Sequence, residues 1–411
     1  MSDATNNGFN AAERKILLIT CPCHFLTHFF ILVFPAITMP MVATFGVPLE
    51  EVLKVSFVMY LLYGLGALPA GLLVDHWQAK GMLVIGVLLM GAGLFLAGAF
   101  PHRGAMAALL GIAGVGASIY HPAGLALISR TVQRRGHAMG VNGVFGNLGI
   151  AAAPLLTGVL TWLFSWQQTL LILGAVGIAT GLLLALVPVD ESITRTPKPM
   201  ATGKSDPLRY FLILCVCLVL AGFSYRGNML LLPAYLELKT TFFRDFIQSF
   251  SFIRTSGTAT LAATVLTSLV LLTGMFGQIM GGKLADRMDL RHAYLLVHGA
   301  SLPFLFLMAL VTNYWLAMCA ACYIFFSLGM QPVENSLIAA LTPRRWRSTS
   351  YAVKFILNFG VGSTAVYLIG PIKNAFSLAT VYVFLSGTTL LLVSGIVVLL
   401  IASRRVPSIR N

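Results

Sequence analysis

GLLVDHWQAKG, residues 71–81, and GKLADRMDLRH, residues 282–292, each close a long apolar run and carry charge into a short loop. Gly71, Leu73 and Asp75 match Gly282, Leu284 and Asp286 at one constant offset. A second pair of stretches repeats in the same order, HPAGLALISRTVQRRG (121–136) and QPVENSLIAALTPRRW (331–346). There Pro122 matches Pro332, Leu127 matches Leu337, and Arg134-Arg135 match Arg344-Arg345. Earlier in each half, His28 and Pro35 stand as far apart as Arg226 and Pro233. The chain therefore reads as two copies of one unit running in the same direction.

The unit is a membrane unit. Of 411 residues, 58% are hydrophobic and only 10% charged, against about 25% charged in a soluble domain. An apolar helix of about 20 residues crosses a bilayer. The apolar runs are continuous rather than alternating, which selects helices over a β-barrel. The spacing predicts spans at 16–44, 52–74, 82–100, 105–131, 138–163 and 167–188. After a polar linker come 208–238, 258–281, 292–311, 313–341, 349–370 and 376–402. The expected fold is an all-α polytopic membrane protein, with twelve transmembrane helices in two six-helix pseudo-symmetric bundles. The bundles are 1–188 and 208–411, joined by a cytoplasmic linker at 189–207. Six spans repeated in parallel are the pattern of one large transporter class.

The formal net charge is +14, and its placement assigns it to topology. With the N-terminus inside, most Lys and Arg fall in segments on the side of the termini. The opposite side keeps Lys54, Arg103, Lys239, Arg244, Arg254 and Lys373. Both termini are thus expected in the cytoplasm, in a bacterial inner membrane, with no nucleic-acid partner. The first dozen residues are polar and lack a signal-peptide pattern. Cys21 and Cys23, Cys215 and Cys217, and Cys319 and Cys322 form close pairs outside any disulfide-like framework and read as apolar fillers. The stretch TTFFRDFIQSFSFIR (240–254) reads as an interfacial helix, with Phe242, Phe243, Phe246, Ile247, Phe250 and Ile253 on one side.

The chain resembles the major facilitator superfamily over nearly its whole length. The carrying motif is the basic loop of Gly71, Asp75 and Lys80, repeated as Gly282, Asp286, Arg287 and Arg291. The first copy departs from the family pattern, with His76 for a basic residue and Gln78 for a glycine. GVFGNLGIAAAPLLTG (143–158) resembles the glycine-rich fifth helix of family antiporters, without its Gly-Pro and Gly-Gly pairs. HPAG in span 4 and the His- and Pro-bearing span 1 resemble the fosmidomycin-resistance branch of bacterial exporters. The resemblance implies two bundles rocking about a central site lined by spans 1, 4, 7 and 10. It also implies a cytoplasmic gate, in which Asp75 and Asp286 face the starts of helices 11 and 5, near Arg345 and Arg135.

An ionisable side chain inside a span is costly and marks a functional candidate. His24, His28, His121, Arg226, Glu334 and Lys354 qualify. His24 and His28 come from CPCHFLTHFF (21–30) and share a face with Thr20, Thr27, Ile31, Pro35 and Thr38. Arg226 shares its face with Gly222, Met229, Pro233 and Glu237, flanked by Tyr225 and Asn228. Arg stays charged at any attainable pH and binds carboxylate or phosphate bidentately. Glu334 and Lys354 lie at matching depths and are expected to pair, either as a structural ion pair or as a proton site. His28 and His121 are rival proton carriers. Gln331 and Asn335 add polar groups to span 10.

No phosphate-binding glycine loop and no catalytic constellation is visible, which argues against an ATP-driven pump or an enzyme. Three readings remain. The first is a secondary carrier of a small organic solute, anionic and proton-coupled. The second is a multidrug or antibiotic exporter. The third is a copper-like transition-metal carrier using His24, His28 and methionines such as Met39, Met41 and Met229. In that third reading Cys21 lies about 10 Å from His28 along the helix, too far to share one ion. No cofactor and a monomer are expected.

Overall fold

The computed structural model describes residues 9–74, 76–191, 207–250, 256–342 and 347–404, with side chains of 207, 208, 347 and 348 left aside. Those residues form twelve long helical segments and no strand. The first six are α1 (Ala11–Phe45), α2 (Leu49–Val74), α3 (Ala79–Ala99), α4 (Arg103–Thr131), α5 (Arg135–Leu163) and α6 (Trp166–Leu186). The second six are α7 (Pro207–Lys239), α8 (Thr258–Arg287), α9 (Leu290–Leu307), α10 (Asn313–Leu341), α11 (347–375) and α12 (Leu378–Ala402). Each coincides with an expected span, and the chain is an integral membrane protein. Eleven are long and apolar enough to cross a bilayer; α9, at 18 residues, is diluted by Arg291, His292 and His298. The outer surface is apolar, as a lipid-facing surface requires: Leu183 is 65% and Leu186 78% exposed.

Helix ends differ from expectation for identifiable reasons. α1 starts at Ala11 because Asn10 and Glu13 form a capping box: the Glu13 amide donates to Asn10 Oδ1 (2.9 Å) and the Asn10 amide to Glu13 Oε2 (3.1 Å). α3 starts at Ala79, where Glu191 accepts from the Ala79 and Lys80 amides at 2.9 and 2.7 Å. A carboxylate there answers orphan amides and the positive end of the helix dipole. The rest of the linker, 192–206, lies outside the described residues. The expected interfacial helix is shorter than 240–254: it spans Phe242–Gln248, with the Phe242 ring packed at a tilt against Tyr314 (centroids 4.0 Å), and Ile253 lies outside the described residues.

The main departure concerns α11, expected as a single span at 349–370. It is α-helical over Arg347–Phe355, π-helical over Ile356–Gly360, 3₁₀ over Val361–Ala365, then α-helical over Val366–Ala375. Such interruptions gather at functional sites. Here the irregular segment meets α2 closely. A Cβ on Gly64 would run into the backbone of Gly360, so only glycine permits this approach.

The halves meet toward the end remote from the termini, in the middle, and where the Ala67–Val74 part of α2 packs on the Arg347–Phe355 part of α11. Lys373 pairs with Glu50 at 2.7 Å. Phe57 and Tyr367 make an edge contact (4.8 Å), and the Leu155 amide donates to Ser268 Oγ (2.8 Å). Midway, Asn147 donates to Gln278 (2.6 Å), which donates to Gln331 (2.9 Å), linking α5, α8 and α10.

Candidate functional site

Two groups of ionisable side chains lie within the second half. Glu334 is fully buried on α10. Its carboxylate meets Lys354 Nζ at 2.7 Å and accepts from Tyr294 Oη at 2.9 Å and Asn358 Nδ2 at 3.3 Å. Lys354 also donates to Asn335 Oδ1 at 2.7 Å. Three helices thus satisfy one ion pair: α9 supplies Tyr294, α10 Glu334 and Asn335, and α11 Lys354 and Asn358. Tyr294 and Asn358 complete the carboxylate's shell.

Arg226 is held differently. It is 4% exposed on α7, has no acidic partner among the described residues, and its Nε has no hydrogen-bond partner. Aromatic faces surround it instead: the guanidinium carbon lies 4.4 Å from the Phe359 ring centre, 4.6 Å from Tyr60, 5.9 Å from Tyr63 and 6.0 Å from Tyr225. Cation–π contacts lower the cost of burying the charge without neutralising it. Arg226 lines a small cavity with Ser56, Tyr60 and Ser363. The buried Tyr63 hydroxyl is also unpaired. Phe359 and Ser363 were not singled out from the sequence, because the π and 3₁₀ turns set their direction. Met229 is buried one turn beyond Arg226.

The histidines of α1 and α4 converge. His24 Nδ1 lies 2.8 Å from the Asn142 carbonyl, and His24 Nε2 lies 3.1 Å from His28 Nε2. His121 makes edge contacts with both rings, at 5.5 and 5.4 Å. Tyr120 stacks on His24 at 4.5 Å and donates to Asn142 Oδ1 at 2.6 Å. A stack of rings then leads to Arg226: His121 on Phe355 (4.6 Å), Phe355 on Phe359 (5.6 Å), and Phe359 against the guanidinium.

Four of the expected gate residues, Lys80, Arg135, Asp286 and Arg287, lie among the described residues. Asp286 and Arg287 are exposed, and neither they nor Arg135 makes an ion pair among the described residues. Asp286 makes no ion pair with the start of α5 among the described residues. Lys80 donates to the Ala185 carbonyl at 2.9 Å, within its own half. Asp75 and Arg345 lie outside the described residues.

A family model described as Major Facilitator Superfamily matches residues 20–364. The chain belongs to the major facilitator superfamily. Over 178 residues it is 31% identical to the methyl viologen resistance protein SmvA of Salmonella typhimurium, covering 42% of this chain and 35% of that one. Over 131 residues it is 30% identical to the puromycin resistance protein pur8 of Streptomyces alboniger, covering 31% and 26%. The matches span about a quarter to a third of those relatives. A bacterial homolog of the human lysosomal transporter Spinster, in an inward-facing and unoccupied conformation, superposes with a TM-score of 0.70 at 16% identity, over 98% of this chain and 99% of that one. The fold is therefore the twelve-helix fold of this superfamily, and the protein is a transporter, not an enzyme.

Proposed function

We propose that this transporter carries a small organic anion by alternating access, coupled to protons, in a bacterial inner membrane with both termini cytoplasmic. The observation that carries the reading is Arg226: a buried guanidinium with no carboxylate among the described residues, facing a cavity between the halves. A substrate carboxylate or phosphate supplies the missing charge and pairs the free Nε. Its position against α2 and α11 lets such a ligand touch both halves, which rocking requires. Glu334 is the coupling group in this proposal. A proton on its carboxylate neutralises it, weakens the hold on Lys354, and adds a positive charge to the anion's surroundings. Asp75, Lys80, Asp286, Arg287, Arg135 and Arg345 form the gate when the cytoplasmic ends come together.

Heat-stability shifts of the purified protein with carboxylates, phosphates and cationic drugs test the substrate class. The anion reading expects stabilisation by an anion that disappears in Arg226→Ala. A second reading, drug export, is favoured by the resistance proteins among the relatives. It expects stabilisation by cationic drugs that survives in Arg226→Ala.

A further inference from the structure

We infer that His24, His28 and His121 form a binding site for one divalent transition-metal ion of the zinc class. One ligand nitrogen from each lies within 4.8 Å of the others. Nitrogens around a tetrahedral zinc ion, with Zn–N of about 2.0–2.1 Å, stand about 3.4 Å apart. The His24 and His28 Nε2 atoms are already 3.1 Å apart, joined by a hydrogen bond in which His28 donates; loading the ion moves that hydrogen to His28 Nδ1, freeing the Nε2 lone pair, and draws His121 inward by about the length of one bond.

The surroundings support ligation. A carbonyl only accepts, so His24 Nδ1, 2.8 Å from the Asn142 oxygen, carries the hydrogen. Neutral His24 then turns the Nε2 lone pair toward His28. Fixing a tautomer through the far ring nitrogen is how metal-binding histidines are oriented. Asn142 is itself held by the Tyr120 hydroxyl at 2.6 Å. Gly146 leaves room for the ring: a Cβ there would stand 2.5 Å from it. His121 Nε2 is buried with no hydrogen-bond partner, a cost that a bond to a metal removes.

Donor chemistry selects the ion. Three imidazole nitrogens suit zinc, nickel or cobalt. Met39 lies eleven residues beyond His28 on the same helix, about 16 Å away, so it supplies no soft ligand. Cys21 is turned toward the Asn142 amide, 3.9 Å away. Three ligands leave a fourth position for water or a donor atom of the carried solute. Nearby, the Lys354 charge is already offset by Glu334 at 2.7 Å. The site does not require the anion reading of Arg226.

Tag-free full-length protein, dialysed against zinc chloride and then buffer, is expected to retain one zinc per chain. Cobalt should give the visible spectrum of a tetrahedral site. X-ray absorption on the zinc-loaded wild type should show three imidazole nitrogens, a readout that needs no variant. The His24→Ala, His28→Ala, His121→Ala triple variant should retain only background zinc, whereas Arg226→Ala and His292→Ala keep the full ion. A wild type that retains no zinc, a zinc shell without imidazole, or a triple variant that keeps its ion overturns the site. Loss of anion binding in Arg226→Ala with zinc retained separates this inference from the proposed function.

Discussion

Lys354 and Arg226 are both buried cations in the second half, and the fold treats them in opposite ways. Lys354 has a carboxylate at 2.7 Å and an amide oxygen at 2.7 Å. Arg226 has rings on several sides and no carboxylate among the described residues. A pair completed inside the protein can stand unchanged through a rigid-body motion, because Glu334 and Lys354 sit on α10 and α11 of the same half. A cation left incomplete between the halves is a place for a ligand. Charge burial alone therefore does not identify a binding residue; the missing partner does.

The largest effect should come from splitting the completed pair. Lys354→Ala strands a fully buried carboxylate, and Glu334→Ala strands the ammonium. Either should cost about 3–5 kcal/mol, read as a large fall in melting temperature or in folded yield. The double change Glu334→Leu with Lys354→Met should recover most of that loss while abolishing transport driven by an imposed pH gradient. Full coupling in the double variant would remove Glu334 from the proton path. Arg226→Ala breaks the comparison from the other side. Removing a cation that has no internal anion should leave melting nearly unchanged while weakening anion binding about ten- to a hundredfold, the worth of a charge-assisted hydrogen bond of about 1.5–3 kcal/mol.

Smaller effects probe the seam where Arg226 sits. Gly64→Ala places a methyl against Gly360 and should disfavour this packed conformation by about 1–3 kcal/mol. Spin labels across α2 and α11 should then report a longer mean distance. The smallest effect is expected at the rim, where Lys373 is 30% exposed: Lys373→Gln should cost about 1 kcal/mol or less, and the difference from wild type should shrink in high salt.

Much of this was legible in the sequence. Continuous apolar runs marked every helix, and the paired loops around Asp75 and Asp286 marked the repeat. Matching depths brought Glu334 and Lys354 together, since helical rise converts residue number into height. Helix 1 periodicity put His24 and His28 on one face, but His121 joined them only through the packing of α4 on α1, which periodicity within one helix does not encode. Phe359 went unnoticed because it sits in the π-helical turn Ile356–Gly360, and a regular helix would have aimed it elsewhere; Gly360 and Gly362 were a local signal of the irregular turns. Glu191 looked like linker charge, and its capping of α3 depends on where the chain returns after α6.

Anion binding to wild type and to Arg226→Ala tests the central claim most directly. Calorimetric titration of the purified transporter with the anion that most raises its melting temperature should show one site in the wild type, and an affinity at least about tenfold weaker in the variant, with the variant still folded. Equal affinity in the two proteins, or no anion binding by a well-folded wild type, would contradict the assignment of Arg226 as the substrate anchor.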